Sequence, residues 1–314
     1  MSWKILVNDG MESSGISALI DAGFEVDTQK IPQDELIHKI CNYEGIIVRS
    51  ATKVRKDLID ACPGLMFIAR GGVGLDNIDV EYAIRKGIQV INTPAASSRS
   101  VAELAMGHIL TLTRRLQLSN RELKGSEQFG ILKKSMASCT EVAGKTLFIV
   151  GFGRIGKELA KMAIAMNMNV MVHDPFLKEA QLSIHVGQQN INLELPLVSL
   201  EHGLSDADYI SLHSPFIGKP ILDKEAFECV KKGAYIINTS RGENIDEDQL
   251  LSAIHSGKIA GAGLDVFNNE PNINPLILSN PKISVSPHIG ASTQEAQERI
   301  AVELVEKIIA LKEK

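Results

Sequence analysis

The chain has 314 residues, of which 44% are hydrophobic and 23% charged, with a formal net charge of -5 and a mean hydropathy of +0.04. This length and composition predict a globular protein of about two domains. The negative net charge gives no overall attraction to nucleic acid or to an anionic membrane. No segment approaches about 18 consecutive apolar residues, the length that spans a bilayer. We therefore expect neither a nucleic-acid partner nor a membrane anchor.

Cysteine usage points to a reducing compartment. The four cysteines, Cys41, Cys62, Cys139 and Cys229, lie far apart and form no Cys-x-x-Cys pair, so neither a zinc site nor a disulfide framework is expected. The first residues read as a strand followed by a polar turn, without the apolar core of a signal peptide. The sequence predicts a cytoplasmic protein with reduced thiols and no bound metal.

The first ninety or so residues alternate strand-like and helix-like segments. Short β-rich runs at 4–7, 24–27, 45–48, 65–69 and 88–91 are separated by helical stretches, which predicts βαβ units and a parallel sheet. The next segment, 101–112, places apolar residues at i, i+3, i+4 and i+7, the pattern of a long amphipathic helix. We expect that helix to lead into a second domain.

A second sheet is predicted further along the chain. Residues 119–143 show little periodicity and read as an arm, which we expect to form a homodimer contact. Strand-like runs then resume at 146–150, 170–173, 209–213, 234–238, 260–264 and 283–286, and residues 294–311 form a last amphipathic helix. The predicted fold class is α/β, with two doubly wound parallel-sheet domains and an active-site cleft between them.

A glycine-rich run, Gly151-Phe152-Gly153-Arg154-Ile155-Gly156, lies between the first strand of the second sheet and a helical pattern. Asp174 stands eighteen residues beyond Gly156, after the next strand. In this context the glycines predict a turn that binds a dinucleotide, with the pyrophosphate at the helix start. Asp174 would accept hydrogen bonds from the adenosine ribose hydroxyls and repel a 2′-phosphate, which favours NAD over NADP. The alternative, an ordinary strand-to-helix turn, is disfavoured by the flanking strands and the acid.

Residues with charged or titratable side chains follow the later strands of the second sheet. Ligands bind beyond the carboxyl ends of parallel strands, where Arg241, Glu270 and His288 are expected to converge. His288 can take the hydroxyl proton as a hydride leaves the substrate, Glu270 can orient and stabilise its protonated ring, and Arg241 can hold a carboxylate or carbonyl. Taken singly, they could be a packed histidine, a loop acid and a surface ion-pair arginine. Their shared position favours a hydride-transfer site.

The strand ends of the first domain offer an edge suited to anions. Arginines follow two of its strands, and a glycine-rich turn exposes backbone amides that can cradle a carboxylate. Here the glycines could alternatively serve only a tight turn. The predicted substrate-binding residues are Arg49, Ser50, Arg70, Gly71, Gly72 and Val73. Two arginines beside such a turn suggest an acidic substrate that carries two charges.

Several strings resemble the D-2-hydroxyacid dehydrogenase family, and within it the D-3-phosphoglycerate dehydrogenases. They run almost from end to end of the chain, and they are residues 47–52, 70–77, 92–94, 151–156, 238–242, 263–267 and 287–293. The resemblance implies that Arg241, Glu270 and His288 are the catalytic residues. The cofactor contacts predicted from the motif, the strand ends and the resemblance together are Gly151, Gly153, Arg154, Ile155, Gly156, Asp174, Ser214, Thr239, Ser240, Asp265, Gly290 and Ala291.

The resemblance also implies a domain division and a reaction. The substrate domain would be flavodoxin-like and discontinuous, 1–98 plus 290–314, and the NAD-binding Rossmann domain would be 99–289. The implied reaction is NAD-dependent oxidation of 3-phosphoglycerate to 3-phosphohydroxypyruvate, the opening step of L-serine biosynthesis. Many phosphoglycerate dehydrogenases carry C-terminal regulatory domains, and none is expected here. We therefore expect a short form without serine inhibition through such a domain.

Two alternatives remain open. A glyoxylate or hydroxypyruvate reductase would resemble this chain equally in its cofactor half. An NAD-sensing corepressor, in which the cofactor gates partner binding, uses the same fold and can retain the same three residues. The chain lacks the long Pro- or Ser-rich tails and the basic cluster that such interaction proteins often carry, which favours an enzyme.

Overall fold

The chain divides into two units in the computed structural model, which describes residues 2–313. The first unit holds the residues up to Ser100 and those from Ala291 onward, and the second is Val101–Gly290. The boundaries expected from the sequence, 98/99 and 289/290, lie two residues and one residue earlier. The first and last residues of the expected substrate domain, Met1 and Lys314, lie outside the described residues.

The first unit is built on a parallel sheet with the strand order β2-β1-β3-β4-β5. Strands β3 and β4 are buried along almost their whole length, which explains their continuous apolar runs. Its helices and strands are β1 (Lys4–Val7), α1 (Ser13–Asp21), β2 (Glu25–Asp27), α2 (Gln33–Lys39), β3 (Gly45–Val48), α3 (Lys56–Asp60), β4 (Phe67–Arg70), α4 (Val80–Arg85), β5 (Gln89–Asn92) and α13 (Gln294–Lys312).

The last helix, α13, completes the core of the first unit. The Thr293 side chain accepts a hydrogen bond from the Ala296 amide and caps the helix start. Ile300, Leu304 and Ile308 lie on one stripe of the helix and are buried in the apolar cluster on one face of the sheet, where α13 contacts α1 and β5. The chain end thus belongs structurally to the N-terminal unit.

The second unit contains a six-stranded parallel sheet with the order β13-β12-β11-β10-β6-β7. The order reverses between β6 and β10, which creates the crevice where such sheets bind ligands. Helix α5 (Ser98–Thr113) contains the boundary between the units. The other elements are α6 (Leu116–Glu122), α7 (Ser126–Ser135), β6 (Thr146–Val150), α8 (Arg154–Ala165), β7 (Asn169–His173), β8 (Ala180–Val186), β9 (Gln189–Leu195), α9 (Leu200–Asp206), β10 (Tyr209–Leu212), α10 (Lys224–Cys229), β11 (Ala234–Asn238), α11 (Glu247–His255), β12 (Ile259–Leu264), α12 (Pro275–Ser279) and β13 (Ile283–Val285).

The two doubly wound parallel sheets confirm the predicted fold class. Two features go beyond the prediction. Strands β8 and β9 form an antiparallel hairpin between β7 and α9, with Leu182 buried against the core of the second unit. The predicted arm contains the second part of α6 and all of α7, and no residue of either helix is buried. Within residues 2–313, no helix is long and apolar enough to cross a bilayer.

Candidate active site

The glycine turn between β6 and α8 has the geometry of a dinucleotide site. Gly151 has φ +92°, and a Cβ there would come within 2.9 Å of the His213 carbonyl and the Ser214 amide. Gly153 precedes α8 without a side-chain cap, and a Cβ on it would meet only open space. The first amides of α8 therefore face an uncrowded position, where a pyrophosphate fits.

Asp174 lies directly after β7 and is fixed by this turn. Its carboxylate accepts hydrogen bonds at 3.0 Å from the amides of Phe152 and Phe176. A cavity of about 590 Å³ opens beside it, beyond the ends of β6, β7 and β10. Its lining includes Gly151, Gly153, Asp174, Phe176, Leu200, Leu204, Ser214 and Ile217. This largely apolar space, with a carboxylate at its edge, fits the adenosine half of a dinucleotide.

His213 and Ser214 face the same cavity at the end of β10. Burial lowers the pKa of His213 to about 4, so its ring is neutral at pH 7. The Nδ1 atom of His213 and the Oγ atom of Ser214 are buried and have no hydrogen-bond partner among the described residues. Buried polar atoms of this kind are usually satisfied by a bound water, ion or ligand. They add to the fit of the cavity for a ribose or pyrophosphate.

His288 and Glu270 are in direct contact. The Nδ1 atom of His288 lies 2.7 Å from Oε2 of Glu270, and Oε1 of Glu270 accepts a hydrogen bond from the Phe267 amide at 2.9 Å. His288 follows β13 and has a left-handed backbone, with φ +53°. Because Nδ1 faces Glu270, Nε2 is the ring nitrogen available to a substrate. The side chain of His288 is 44% exposed, so this nitrogen can be reached.

The pair shifts the pKa values of both partners. The hydrogen bond to Glu270 raises the pKa of His288, against the opposing effect of burial. Burial raises the pKa of Glu270, but the hydrogen bonds from His288 and Phe267 and the charges of His288 and Arg241 outweigh it and lower that pKa overall. The arrangement favours the ion pair, in which Glu270 is a carboxylate and His288 carries the proton it has taken up.

Arg241 is held close to this pair by a backbone contact. The Asn238 side chain donates a hydrogen bond to the Arg241 carbonyl at 2.7 Å, and Nη1 of Arg241 donates to the Ser240 carbonyl at 2.6 Å. Gly242, which the sequence analysis did not single out as a site residue, packs so tightly on the Phe267 backbone that any Cβ would collide with it. The loops after β11 and β12 can therefore touch, and Arg241 comes near Glu270.

The remaining predicted cofactor residues of the second unit lie on the same edge of the sheet, whereas Ala291 begins the C-terminal part of the first unit. The amide and hydroxyl of Ser240 donate hydrogen bonds to the Asn238 side chain, and the Thr239 hydroxyl is buried without a partner among the described residues. Asp265 is buried and accepts hydrogen bonds from the Ser286 hydroxyl and from the amides of Ile289 and Gly290. The carboxylate of Asp265 thus holds the His288 loop, a role the sequence did not reveal.

Asn244 is a second residue that sequence reasoning missed. It is fully buried, and its Nδ2 atom donates hydrogen bonds to the Ser214 carbonyl at 2.9 Å and to the Ser240 hydroxyl at 3.0 Å. It ties the loop after β10 to the loop after β11. No motif marks it, because its role depends on two loops that are distant in sequence.

The predicted anion-binding edge of the first unit lies at the ends of β3 and β4. Asp9 accepts hydrogen bonds from the amides of Arg49 and Thr52, and the Asn77 side chain donates to the carbonyls of the same two residues. These contacts fix the loop that carries Arg49 and Ser50. Arg70 ends β4, and its guanidinium lies against Gly72, whose φ is +150°. The 70–73 turn is held by a hydrogen bond from the Thr93 amide to the Gly72 carbonyl.

Glu270→Gln tests the electrostatic coupling at the pair. Without the carboxylate, burial dominates and the pKa of His288 falls. Oxidation needs the neutral His288 ring, so the acid limb of the pH profile for oxidation should move to lower pH. Reduction needs the protonated ring, so the alkaline limb of the profile for reduction should also move to lower pH. Profiles of kcat/KM against pH in both directions measure this. Glu247→Gln is the matched control, because Glu247 is another half-buried carboxylate that accepts a loop amide. An unmoved Glu270→Gln profile would refute the coupling.

A dinucleotide turn that shares its sheet edge with an arginine and a histidine–glutamate pair defines a nicotinamide-dependent dehydrogenase. Residues 106–290 match the family model of the D-isomer specific 2-hydroxyacid dehydrogenase NAD-binding domain. A hydroxypyruvate reductase of Thermotoga maritima is 41% identical over 312 residues, which are 98% of this chain and 97% of the relative. The protein belongs to the D-2-hydroxyacid dehydrogenase family, and its cofactor is a nicotinamide dinucleotide.

Other relatives and solved structures agree with this assignment. A D-3-phosphoglycerate dehydrogenase of Methanocaldococcus jannaschii is 39% identical over 308 residues, or 97% of this chain and 56% of the relative. The chain thus spans about half the length of that relative. The TT0316 protein of Thermus thermophilus is 30% identical, with a TM-score of 0.85 and coverage of 99% and 97% of the two chains. A glyoxylate reductase of Paecilomyes thermophila is 26% identical, with a TM-score of 0.84 and coverage of 100% and 96%.

Proposed function

We propose that the protein oxidises 3-phosphoglycerate to 3-phosphohydroxypyruvate with NAD, the opening step of L-serine biosynthesis. The choice of this substrate is supported by the placement of Arg49 and Arg70 at the ends of adjacent strands, beside the Gly71-Gly72 turn. Guanidinium groups bind phosphate and carboxylate oxygens in pairs. A substrate that carries two anionic groups suits a pair of guanidinium groups.

The catalytic roles follow from the geometry of the pair. Nε2 of His288 takes the proton of the substrate hydroxyl in oxidation and returns it in reduction, while the Glu270 carboxylate at Nδ1 stabilises the protonated ring. Arg241 orients the substrate carboxylate and stabilises charge on the carbonyl oxygen. When bound, the nicotinamide supplies hydride acceptance and donation. The substrate proton and the hydride thus leave by separate routes.

NAD rather than NADP is the cofactor we propose. Both oxygens of Asp174 are held by backbone amides, so the carboxylate cannot turn away from the edge of the cavity. A fixed carboxylate accepts hydrogen bonds from ribose hydroxyls and repels a 2′-phosphate. The next residues, Pro175-Phe176-Leu177, supply no cation that would reverse this preference.

Hydroxypyruvate reduction is the second candidate. It is favoured by the Thermotoga maritima relative, which is 41% identical to this chain, compared with 39% for the phosphoglycerate dehydrogenase relative. Hydroxypyruvate carries one anionic group, so it would leave unfilled one of the anion-binding positions that a phosphorylated substrate would use. The two candidates therefore differ in whether the phosphate contributes to binding.

A substrate panel separates the candidates. We expect kcat/KM for 3-phosphoglycerate and 3-phosphohydroxypyruvate to exceed that for D-glycerate, hydroxypyruvate and glyoxylate. Arg49→Gln should lower kcat/KM for the two phosphorylated substrates about 10- to 100-fold, because one charged hydrogen-bond partner of the phosphate is lost. The values for the unphosphorylated substrates should not change. Arg55→Gln is the control, since Arg55 pairs with Asp79 and donates to the Asp76 carbonyl on the surface. Equal rates with and without the phosphate would reject phosphoglycerate and favour the reductase.

We also propose that the protein is a homodimer assembled through α6 and α7. These helices bury none of their own residues, yet they and the segment 123–125 between them expose large apolar side chains. Leu116, Leu123, Phe129 and Ile131 are 48%, 49%, 61% and 71% exposed. Several exposed large apolar side chains within one segment of the chain are typical of protein contacts. Sedimentation equilibrium gives the mass, and a monomer at micromolar concentration would reject the proposal.

A further inference from the structure

A buried histidine outside the proposed acid–base pair lies beneath the His288 loop. His108, on α5, is 5% exposed. Its Nδ1 atom lies 3.0 Å from the Ser284 hydroxyl, and its Nε2 atom lies 3.0 Å from the Ser286 hydroxyl. The Ser286 hydroxyl in turn donates to Oδ1 of Asp265 at 2.6 Å. We call these four residues the buried network.

The direction of each hydrogen bond follows from the number of protons. Ser286 has one hydroxyl proton and donates it to Asp265, so its oxygen can only accept from His108. Nε2 of His108 must therefore carry the ring proton, and Nδ1 must accept from Ser284. Burial lowers the pKa of His108 and keeps the ring neutral, as this pattern requires. The hydrogen bonds of the buried network thus form one directed chain, in which Ser284 donates to His108, His108 to Ser286, and Ser286 to the Asp265 carboxylate.

The buried network ends on the backbone that carries His288. Asp265 accepts the amides of Ile289 and Gly290 at 2.9 Å, and the His288 amide donates to the Ser286 carbonyl at 3.1 Å. The left-handed backbone of His288, φ +53°, lies between these anchors. Such a conformation persists only where the surroundings hold it. The direction of the His288 ring thus depends on the position of Asp265 and Ser286.

Packing fixes His108 itself. A Cβ on Gly263, in β12, would come within 2.6 Å of Cβ of His108, so α5 lies directly on that strand. The ring consequently has little room to move away from the two serines. A helix that is rigidly packed on the sheet thereby supports a loop after β13 through one imidazole.

We propose that His108 is a positioning residue, which holds Asp265 and the His288 loop in the orientation for proton transfer by donating to Ser286. The proposal rests on the acid–base role proposed for His288. A histidine that only satisfies buried hydroxyls would contribute to stability and leave the turnover of the folded protein unchanged. The two roles therefore differ in kcat and in the protection of the loop amides.

His108→Phe, which keeps a large ring and removes both nitrogens, tests the role in the full-length protein. We expect kcat to fall about 10-fold, because small misplacement of a catalytic group is costly, with substrate KM unchanged. Hydrogen exchange at the Ile289 and Gly290 amides should accelerate. Thr113→Val is the matched control on α5: its buried hydroxyl bonds Ile109 and Tyr209, away from the loop, so only Tm should fall.

A double-mutant cycle establishes whether His108 acts through Ser286. If it does, Ser286→Ala alone should reproduce the loss, and His108→Phe with Ser286→Ala should be no slower than either single variant. The proposal would be overturned if the losses of kcat in the two single variants multiply in the double variant. It would also be overturned if a folded His108→Phe protein has the wild-type kcat and the wild-type rate of amide hydrogen exchange. If His108→Phe does not fold, His108→Gln and Ser286→Ala give the same readouts. If His288→Asn retains activity, the acid–base role fails, whereas the exchange experiment still tests the buried network by itself.

Discussion

His288→Asn should lower kcat for hydroxyacid oxidation about 100-fold or more, the usual contribution of a positioned general base. Asparagine adopts the left-handed backbone of this position, φ +53°, more readily than other residues, so the loop should keep its shape. Its amide can still donate to Glu270, but it cannot take up a proton at neutral pH. The variant therefore removes the acid–base function and little else.

NADH binding separates loss of catalysis from loss of folding in this variant. The cofactor contacts proposed for the glycine turn and Asp174 use backbone and carboxylate groups and do not include the His288 ring. We expect NADH titration by fluorescence to give the wild-type Kd and thermal unfolding to give a similar Tm. Retention of more than about a tenth of the wild-type kcat would exclude His288 as the acid–base group.

The parallel sheets were predictable because their strands are buried on both faces. Strands such as β3 and β6 read as unbroken apolar runs separated by helical patterns, and that alternation has essentially one structural solution. The hairpin of β8 and β9 was missed even though it has a sequence signal. Alternate residues of 180–186 and 189–195 are apolar, and Gly187 stands at the turn with φ +60°. This period of two falls between strands of the parallel sheet, where a crossover helix is the usual expectation.

The sequence predicts which strand each candidate site residue follows, but it does not predict the contacts among the loops that carry these residues. That Arg241, Glu270 and His288 follow strands of one sheet places them on one edge, as parallel topology requires. Contacts among their loops depend on packing between distant segments, such as Gly242 against Phe267 and Asp265 against the amides after His288. Asn244 and His108 have no local signature, because each acts through hydrogen bonds to residues far away in sequence.

Arg241→Lys should lower kcat/KM for the hydroxy acid about 100- to 1,000-fold, although the charge is retained. A lysine presents a single ammonium group and cannot contact two oxygens of a carboxylate in one plane. It would also lose the Nη1 contact to the Ser240 carbonyl that orients the guanidinium. Steady-state kinetics with saturating NAD measure the effect, and NADH affinity should be unchanged.

Gly242→Ala provides an independent test of the same geometry. It leaves the Arg241 side chain intact but inserts a Cβ against the Phe267 backbone, so the loops that carry Arg241 and Glu270 must separate. We expect kcat/KM to fall in the same direction as in Arg241→Lys, and the combined variant to be less impaired than the product of the two effects, because both disturb one contact. Gly107→Ala, on α5, is the matched control, since a Cβ there meets only open space. Full activity in a folded Gly242→Ala protein would show that the spacing between Arg241 and Glu270 is unimportant for catalysis.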